Sequence, residues 1–137
     1  MRNAPRAGGT PALRPLAVAF HSLVALLTGV ATLPAVNLAG SALATAAGMA
    51  AGGGPRLAWD LAWLVLSLAA GAGLSAWMAP RAPRWHALGL LAGFQALAIA
   101  GVVRMGEDWP LWFRAAVVLA PAVLVVAWAW PWRRRMR

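Results

Sequence analysis

The sequence contains no cysteine, no tyrosine and no lysine, and only three of its 137 residues are acidic. Without cysteine there is no disulfide framework, no thiolate metal site and no cysteine nucleophile. Charged residues make up 11% of the chain, whereas an ordinary soluble domain has about 25%. Hydrophobic residues make up 62%, and the mean hydropathy is +0.71. These values argue against a water-soluble domain and against disorder, which requires low hydrophobicity.

Four long apolar stretches fill most of the chain. A bilayer core requires about 20 mostly apolar residues in helical form. Because backbone amides in lipid must bond internally, we predict helices for these stretches. The fold class is therefore predicted to be all-α, an integral membrane bundle of four transmembrane helices within a single domain, 16–132. The predicted spans cover about 16–36, 57–78, 85–103 and 110–130.

The stretch between the first two spans is uncharged until Arg56 and is rich in alanine and glycine. We expect the first helix to run a little past Pro34 and then stop, because proline disrupts a helix interior. For 38–54 we predict a short separate helix near the membrane surface. A re-entrant segment or a fifth span is the alternative. Small residues recur every four positions in this stretch, at Gly40, Ala44, Gly48 and Gly52.

All twelve basic residues are arginines, and their placement is asymmetric. With four spans, the arginines before the first span, between the second and third, and after the fourth fall on one side. The positive-inside rule places that side in the cytoplasm. We therefore predict a bacterial inner-membrane protein with both termini on the cytoplasmic side. The N-terminal side carries a basic lead at 1–15, and the C-terminal side an arginine tail at 133–137. Because the tail directly follows a span, we expect anionic lipids rather than nucleic acid as its partner.

Every tryptophan lies near the end of a predicted span. Indole rings favour the headgroup level of a membrane, where the ring N–H reaches water. This placement supports four crossings independently of the charges. The predicted lipid-interface residues are Trp59, Trp63, Trp77, Trp85, Trp109, Trp112, Trp128, Trp130 and Trp132.

Two charged residues and one amide side chain lie within the predicted spans. Asp60 and Arg114 each lie roughly 5 Å inside the membrane at 1.5 Å per residue, and Gln95 lies mid-span. One hypothesis is a buried Asp60–Arg114 pair that marks a substrate or ion site. The shallow depth favours a structural pair or side chains that reach back to the headgroups. For Gln95 we favour an interhelical hydrogen bond over contact with a permeant solute.

Small-residue faces occur in the second and third spans. Gly89 and Gly93 form a GxxxG pattern, and Gly71 and Gly73 belong to two small-residue stripes. Such faces let helices approach closely. We expect contacts within the chain to use these glycines, with the helix of a partner protein as the alternative.

His21 in the first span is the candidate for binding a haem or pigment. His86, at the start of the third span, would be a second imidazole, but the two differ by about 7 Å along the helix axis. The sequence contains no P-loop, nucleophile elbow or metalloprotease motif. We therefore predict no cofactor, no metal site and no catalytic residue.

The second half of the chain resembles small four-helix bacterial inner-membrane proteins of unassigned function. The features that carry this resemblance are the Arg/Pro turn at 79–84, the sequence Pro110-Leu111-Trp112-Phe113 and Pro121 in the last span. The resemblance lies within 79–123, about a third of the chain, and it implies four spans, with no activity attached.

The main functional hypothesis is a non-catalytic accessory or structural subunit of a larger membrane complex, with other membrane-protein subunits as partners. The first alternative is a small oligomeric transporter or channel lined by Asp60, Gln95 and Arg114. The second alternative is a haem- or pigment-binding subunit that uses His21.

Overall fold

A computed structural model describes residues 13–134 of the chain. Four long helices run through these residues: α1 (Leu13–Ala46), α2 (Gly54–Met78), α3 (Pro83–Met105) and α4 (Leu111–Arg134). A short 3-10 helix, Gly106–Asp108, precedes α4, and no strand occurs within 13–134. The predicted all-α fold is confirmed. Of the predicted lead (1–15) and tail (133–137), residues 1–12 and 135–137 lie outside the described part of the chain, whereas 13–15 belong to α1 and 133–134 to α4.

Each of the four helices is long and apolar enough to cross a membrane. Only 17% to 28% of the most apolar window of each helix is buried inside the protein. Large apolar side chains such as Leu97, Val103 and Leu119 are exposed. An apolar surface of this extent requires an apolar solvent. The four helices therefore indicate a multi-pass membrane protein.

The first helix is longer than the sequence suggested. α1 continues through Pro34 to Ala46 without interruption, and at 1.5 Å per residue its 34 residues span about 51 Å. The separate surface or re-entrant helix expected at 38–54 is therefore not seen, although the structure describes that whole stretch. A proline removes one backbone hydrogen bond, and packing against a neighbouring helix offsets this loss in membrane helices. Gly40 and Ala44, which follow Pro34, are buried.

α1 ends in a Schellman motif centred on Gly48. The Gly48 amide donates to the Thr45 carbonyl at 3.0 Å, and the Met49 amide donates to the Ala44 carbonyl at 3.0 Å. Gly48 adopts φ +71°, a left-handed conformation that glycine tolerates and that stops an α-helix. Of the four small residues that recur every four positions, Gly40 and Ala44 lie in α1, whereas Gly48 and Gly52 lie in the loop to α2.

α2 lies at the centre of the bundle. It packs against α1 most extensively and also contacts α3 and α4, while α3 packs against α4. Contacts between α1 and α3 are sparse, so the bundle is open on that side. The main core cluster joins α1, α2 and α3, and its buried members are Leu33, Leu68, Ala72, Ala87, Leu90 and Leu91.

A second core cluster joins α2 to α4 at one end of the bundle, through Leu57, Phe113 and Val117. All three acidic residues of the sequence, Asp60, Glu107 and Asp108, lie near this end. We call it the acidic end. The opposite end carries Arg81 and Arg84 in and after the turn between α2 and α3, and we call it the arginine end.

Candidate functional site

An ion pair within α2 lies at the acidic end, and its arginine also hydrogen-bonds to α1. Arg56 shares its Nε–H between the two carboxylate oxygens of Asp60, at 3.0 and 3.1 Å, and its Nη2 donates to Ser41 Oγ at 2.8 Å. The side chain of Arg56 is 13% exposed and that of Asp60 is 40% exposed. The four-residue spacing places both on one face of α2. The ion pair that the structure shows for Asp60 is therefore with its own helix.

Two indole rings of α2 pack on the backbone of α1 next to this ion pair. Trp59 Nε1 donates to the Gly40 carbonyl at 2.9 Å. A Cβ at Gly40 would overlap the ring of Trp63, so only glycine permits this approach. Trp59 and Trp63 are thus helix-packing residues in addition to lying at a span end. We predicted their position at a span end from the sequence, but not their role in helix packing.

The closest approach of α1 and α2 lies at a pair of glycines in the middle of the bundle. A Cβ on Gly71 would lie 2.7 Å from the Gly29 carbonyl oxygen and 2.8 Å from Leu33 Cδ1. A Cβ on Gly29 would lie 2.8 Å from the Gly71 carbonyl oxygen and 2.8 Å from Ser75 Cβ. The two backbones therefore touch directly. On a neighbouring face of α2, a Cβ at Gly73 would meet the Trp128 ring at an ordinary 3.7 Å.

A short hydrogen-bond chain connects the same two helices between the glycine crossing and the ion pair. Asn37 Nδ2 donates to Ser67 Oγ at 3.2 Å, and Ser67 Oγ donates to the Leu64 carbonyl at 2.8 Å. Ser67 is fully buried. Polar groups in a membrane interior need such partners, because lipid offers none. Asn37 was not among the predicted site residues.

Gln95 joins α3 to α4 near the proline of α4. Its Nε2 donates to the Val118 carbonyl at 3.1 Å. Pro121 has no amide to donate to the Val117 carbonyl, and its ring crowds the preceding turn. α4 nevertheless continues through Pro121. The structure thus places Gln95 in an interhelical hydrogen bond next to the turn that Pro121 disturbs.

Arg114 lies on α4 toward the acidic end and is partly buried. Its neighbour Phe113 is buried and packs on Trp109 and Trp112, with ring centroids 5.3 and 5.6 Å apart. Glu107 and Asp108 are exposed. The ion pair that the structure shows for Asp60 is with Arg56. The Asp60–Arg114 pair stays a prediction.

Each of the two histidines is held by the carbonyl one turn earlier on the chain. His21 Nδ1 donates to the Ala17 carbonyl at 2.7 Å, and His86 Nδ1 contacts the Ala82 carbonyl at 3.3 Å. His21 is exposed. Within residues 13–134, no group of three or more His, Cys, Asp or Glu side chains could hold a metal ion.

An open groove runs between α1 and α3. Its volume is about 580 Å³, and its walls are almost entirely apolar. Gly89 and Gly93 lie exposed in it, and a Cβ on either would meet nothing within 4 Å. These two glycines therefore pack against no other helix of the described chain, unlike Gly71. The remaining lining residues are Leu26, Val30, Trp85, His86, Leu90, Phe94 and Leu97.

The other tryptophans divide between the surface and the core. Trp77, Trp85, Trp109 and Trp112 are exposed at helix ends, where an interfacial ring belongs. Trp128 instead packs partly against the main core cluster. The side chains of Trp130 and Trp132 lie outside the part of the chain that the structure describes.

No protein-family model, curated protein or solved structure matches the chain. The resemblance of 79–123 to small four-helix membrane proteins therefore gains no support from these comparisons.

Proposed function

We propose that the chain is a non-catalytic structural or accessory subunit of a larger membrane complex. One observation carries the proposal: Asn37, Asp60 and Gln95, three polar side chains in the spans, each contact the chain's own helices. Asn37 donates to Ser67, and Gln95 donates to the Val118 carbonyl. Asp60 is held by an arginine that also binds α1. In a transporter, such groups would face a substrate path or a water-filled cavity. Here they hold a scaffold together.

A scaffold subunit needs outward faces for its neighbours, and α4 has such a face. Leu119, Val123 and Val126 are 58% to 62% exposed and recur at helical spacing along one side of α4. In lipid, helices associate through close packing and not through the hydrophobic effect. A partner would therefore have to fit this surface in shape.

The distribution of charge supports a location in a bacterial inner membrane with both termini in the cytoplasm. The arginine end carries Arg81 and Arg84, and all acidic residues of the sequence lie toward the opposite end. Basic residues remain on the cytoplasmic side of short membrane loops. An even number of crossings returns the chain to the side on which it began.

The decisive experiment is purification of the full chain from its native membrane in a mild detergent. We expect it to co-purify with other membrane subunits at a fixed stoichiometry, measured by native mass spectrometry. An isolated homo-oligomer that moves a solute across liposomes would reject the proposal, above all if Asp60→Asn stopped the flux while the protein stayed folded. A purified sample with a visible absorption band would favour the haem- or pigment-binding alternative.

A photocrosslinking scan locates the interface. A photoreactive residue at Val123 on α4 is expected to give one discrete protein adduct in cells. The matched position is Leu27, which is similarly exposed at 58% but lies on α1, and it is expected to crosslink to lipid alone. Lipid adducts at both positions would contradict an interface on α4.

A further inference from the structure

The α1–α3 groove has the length of one membrane leaflet. Its lining on α3 begins at Trp85 and His86 and ends at Leu97. From His86 to Leu97 the helix advances by eleven residues, a rise of about 16 Å at 1.5 Å per residue. Half of the hydrocarbon core of a bilayer is about 15 Å thick. The groove thus runs from the arginine end to about the middle of the membrane.

The walls of the groove are apolar along its length, and its volume is about 580 Å³. An extended alkyl chain has no polar group that would lose a hydrogen-bond partner between such walls. Gly89 and Gly93 give the groove its depth, because any larger side chain there would project into it.

The mouth of the groove is positively charged. The Arg84 guanidinium carbon lies 5.0 Å from the centroid of the Trp85 ring, and that ring lines the groove. This cation–π contact holds the charge at the groove's edge. Arg81 is exposed in the preceding turn. No acidic side chain of the sequence lies near this end, so the charge at the mouth is available to an anion.

We infer that the α1–α3 groove binds one acyl chain of an anionic phospholipid from the adjoining leaflet, whose phosphate lies against Arg84. The apolar walls take the chain, and the groove ends where the leaflet ends. The cationic mouth selects the headgroup. This site is independent of the subunit proposal, because it requires only the folded chain and lipid.

The test uses the full chain in detergent after delipidation, titrated with phosphatidylglycerol or with phosphatidylcholine of identical acyl chains. Native mass spectrometry counts the bound lipids. We expect the first phosphatidylglycerol to bind more tightly than the first phosphatidylcholine. Arg84→Gln is expected to weaken phosphatidylglycerol binding about fivefold, the contribution of one basic residue near an anionic surface. It should leave phosphatidylcholine binding unchanged.

A second variant tests the groove itself. Gly89→Leu combined with Gly93→Leu should fill it and weaken binding of both lipids. The fold should survive, because each new side chain enters open space. The matched control is Ala92→Leu, which is exposed at the same depth on α3 but lies outside the groove, and it should bind both lipids as the unsubstituted chain does.

Three results would overturn the inference. The first is equal affinity of the unsubstituted chain for the two lipids. The second is unchanged lipid binding when the groove is filled. The third is a filled groove that removes a protein subunit from the purified particle without altering lipid binding, because the occupant would then be a partner's helix.

Discussion

The glycine crossing of α1 and α2 makes a sharp prediction for the variant Gly71→Ala. The new Cβ would lie 2.7 Å from the Gly29 carbonyl oxygen, whereas ordinary contacts begin at 3.4 Å. The two backbones would have to separate by about 0.7 Å, and overpacking of this kind typically costs about 1–3 kcal/mol. We expect a loss of about 2 kcal/mol in the free energy of unfolding, or roughly thirtyfold in the unfolding equilibrium constant.

The assay is unfolding of the purified chain by SDS in mixed micelles, followed by circular dichroism. The matched control is Gly93→Ala, because it gives the same gain in helix propensity, about 1 kcal/mol at most, in a position where the Cβ meets nothing within 4 Å. The difference between the two variants isolates the crossing. If Gly71→Ala were as stable as Gly93→Ala, the close contact between α1 and α2 would be wrong.

Three further predictions concern the turns, the α3–α4 contact and the orientation. Ala82 and Gly48 have left-handed φ angles of 48° and 71°, which glycine tolerates better than alanine. Ala82→Gly should therefore raise the free energy of unfolding by about 1 kcal/mol, and Gly48→Ala should lower it by about 1 kcal/mol. The same SDS titration measures both, and a shift in the same direction for both would contradict the reasoning. Gln95→Leu should cost about 0.6 kcal/mol, a typical interhelical hydrogen bond, because it loses the bond to the Val118 carbonyl; an unchanged unfolding curve would contradict that bond. A cysteine at Ala51 should react with an impermeant maleimide on intact cells, and one at Ala82 only after permeabilisation; the reverse pattern would refute cytoplasmic termini.

The number and type of helices could be predicted from the sequence, but the length of α1 could not. Four apolar runs separated by short polar turns leave few alternatives to membrane-spanning helices. Pro34 suggested an end to the first helix, because a proline interior to a helix removes a hydrogen bond. Packing between α1 and α2, which the sequence alone does not reveal, offsets the loss of that hydrogen bond. Gly40 lies against the Trp63 ring of α2, and α1 stops only where Gly48 turns left-handed.

The polar contacts were harder to predict than the spans. Arg56 precedes Asp60 by four residues, a spacing that puts both on one helix face, and this signal was present in the sequence. We instead paired Asp60 with Arg114, because the predicted second span begins after Arg56. Once α1 is known to be continuous, Leu33, Asn37 and Ser41 recur every four residues on one face.

Glycine motifs in a membrane protein do not reveal which way they face. Gly71 and Gly93 both belong to small-residue patterns, yet one lies at the backbone crossing and the other lies exposed in a groove. In a soluble protein, hydrophobic patterning would separate the two faces. In lipid both sides of a helix are apolar, so the pattern carries no such information.

The open side of the bundle is itself a physical argument for an occupant. α1 is fixed to α2 by the glycine crossing, the Asn37–Ser67 bond and the contacts of Arg56. No comparable set of contacts draws α1 toward α3. The hydrophobic effect cannot close the groove, because lipid tails are as apolar as its walls. An empty groove would forfeit the dispersion contacts of every atom that lines it. The groove must therefore be filled by something that fits it, and its apolar walls, its length and its cationic mouth match a single lipid chain with an anionic head.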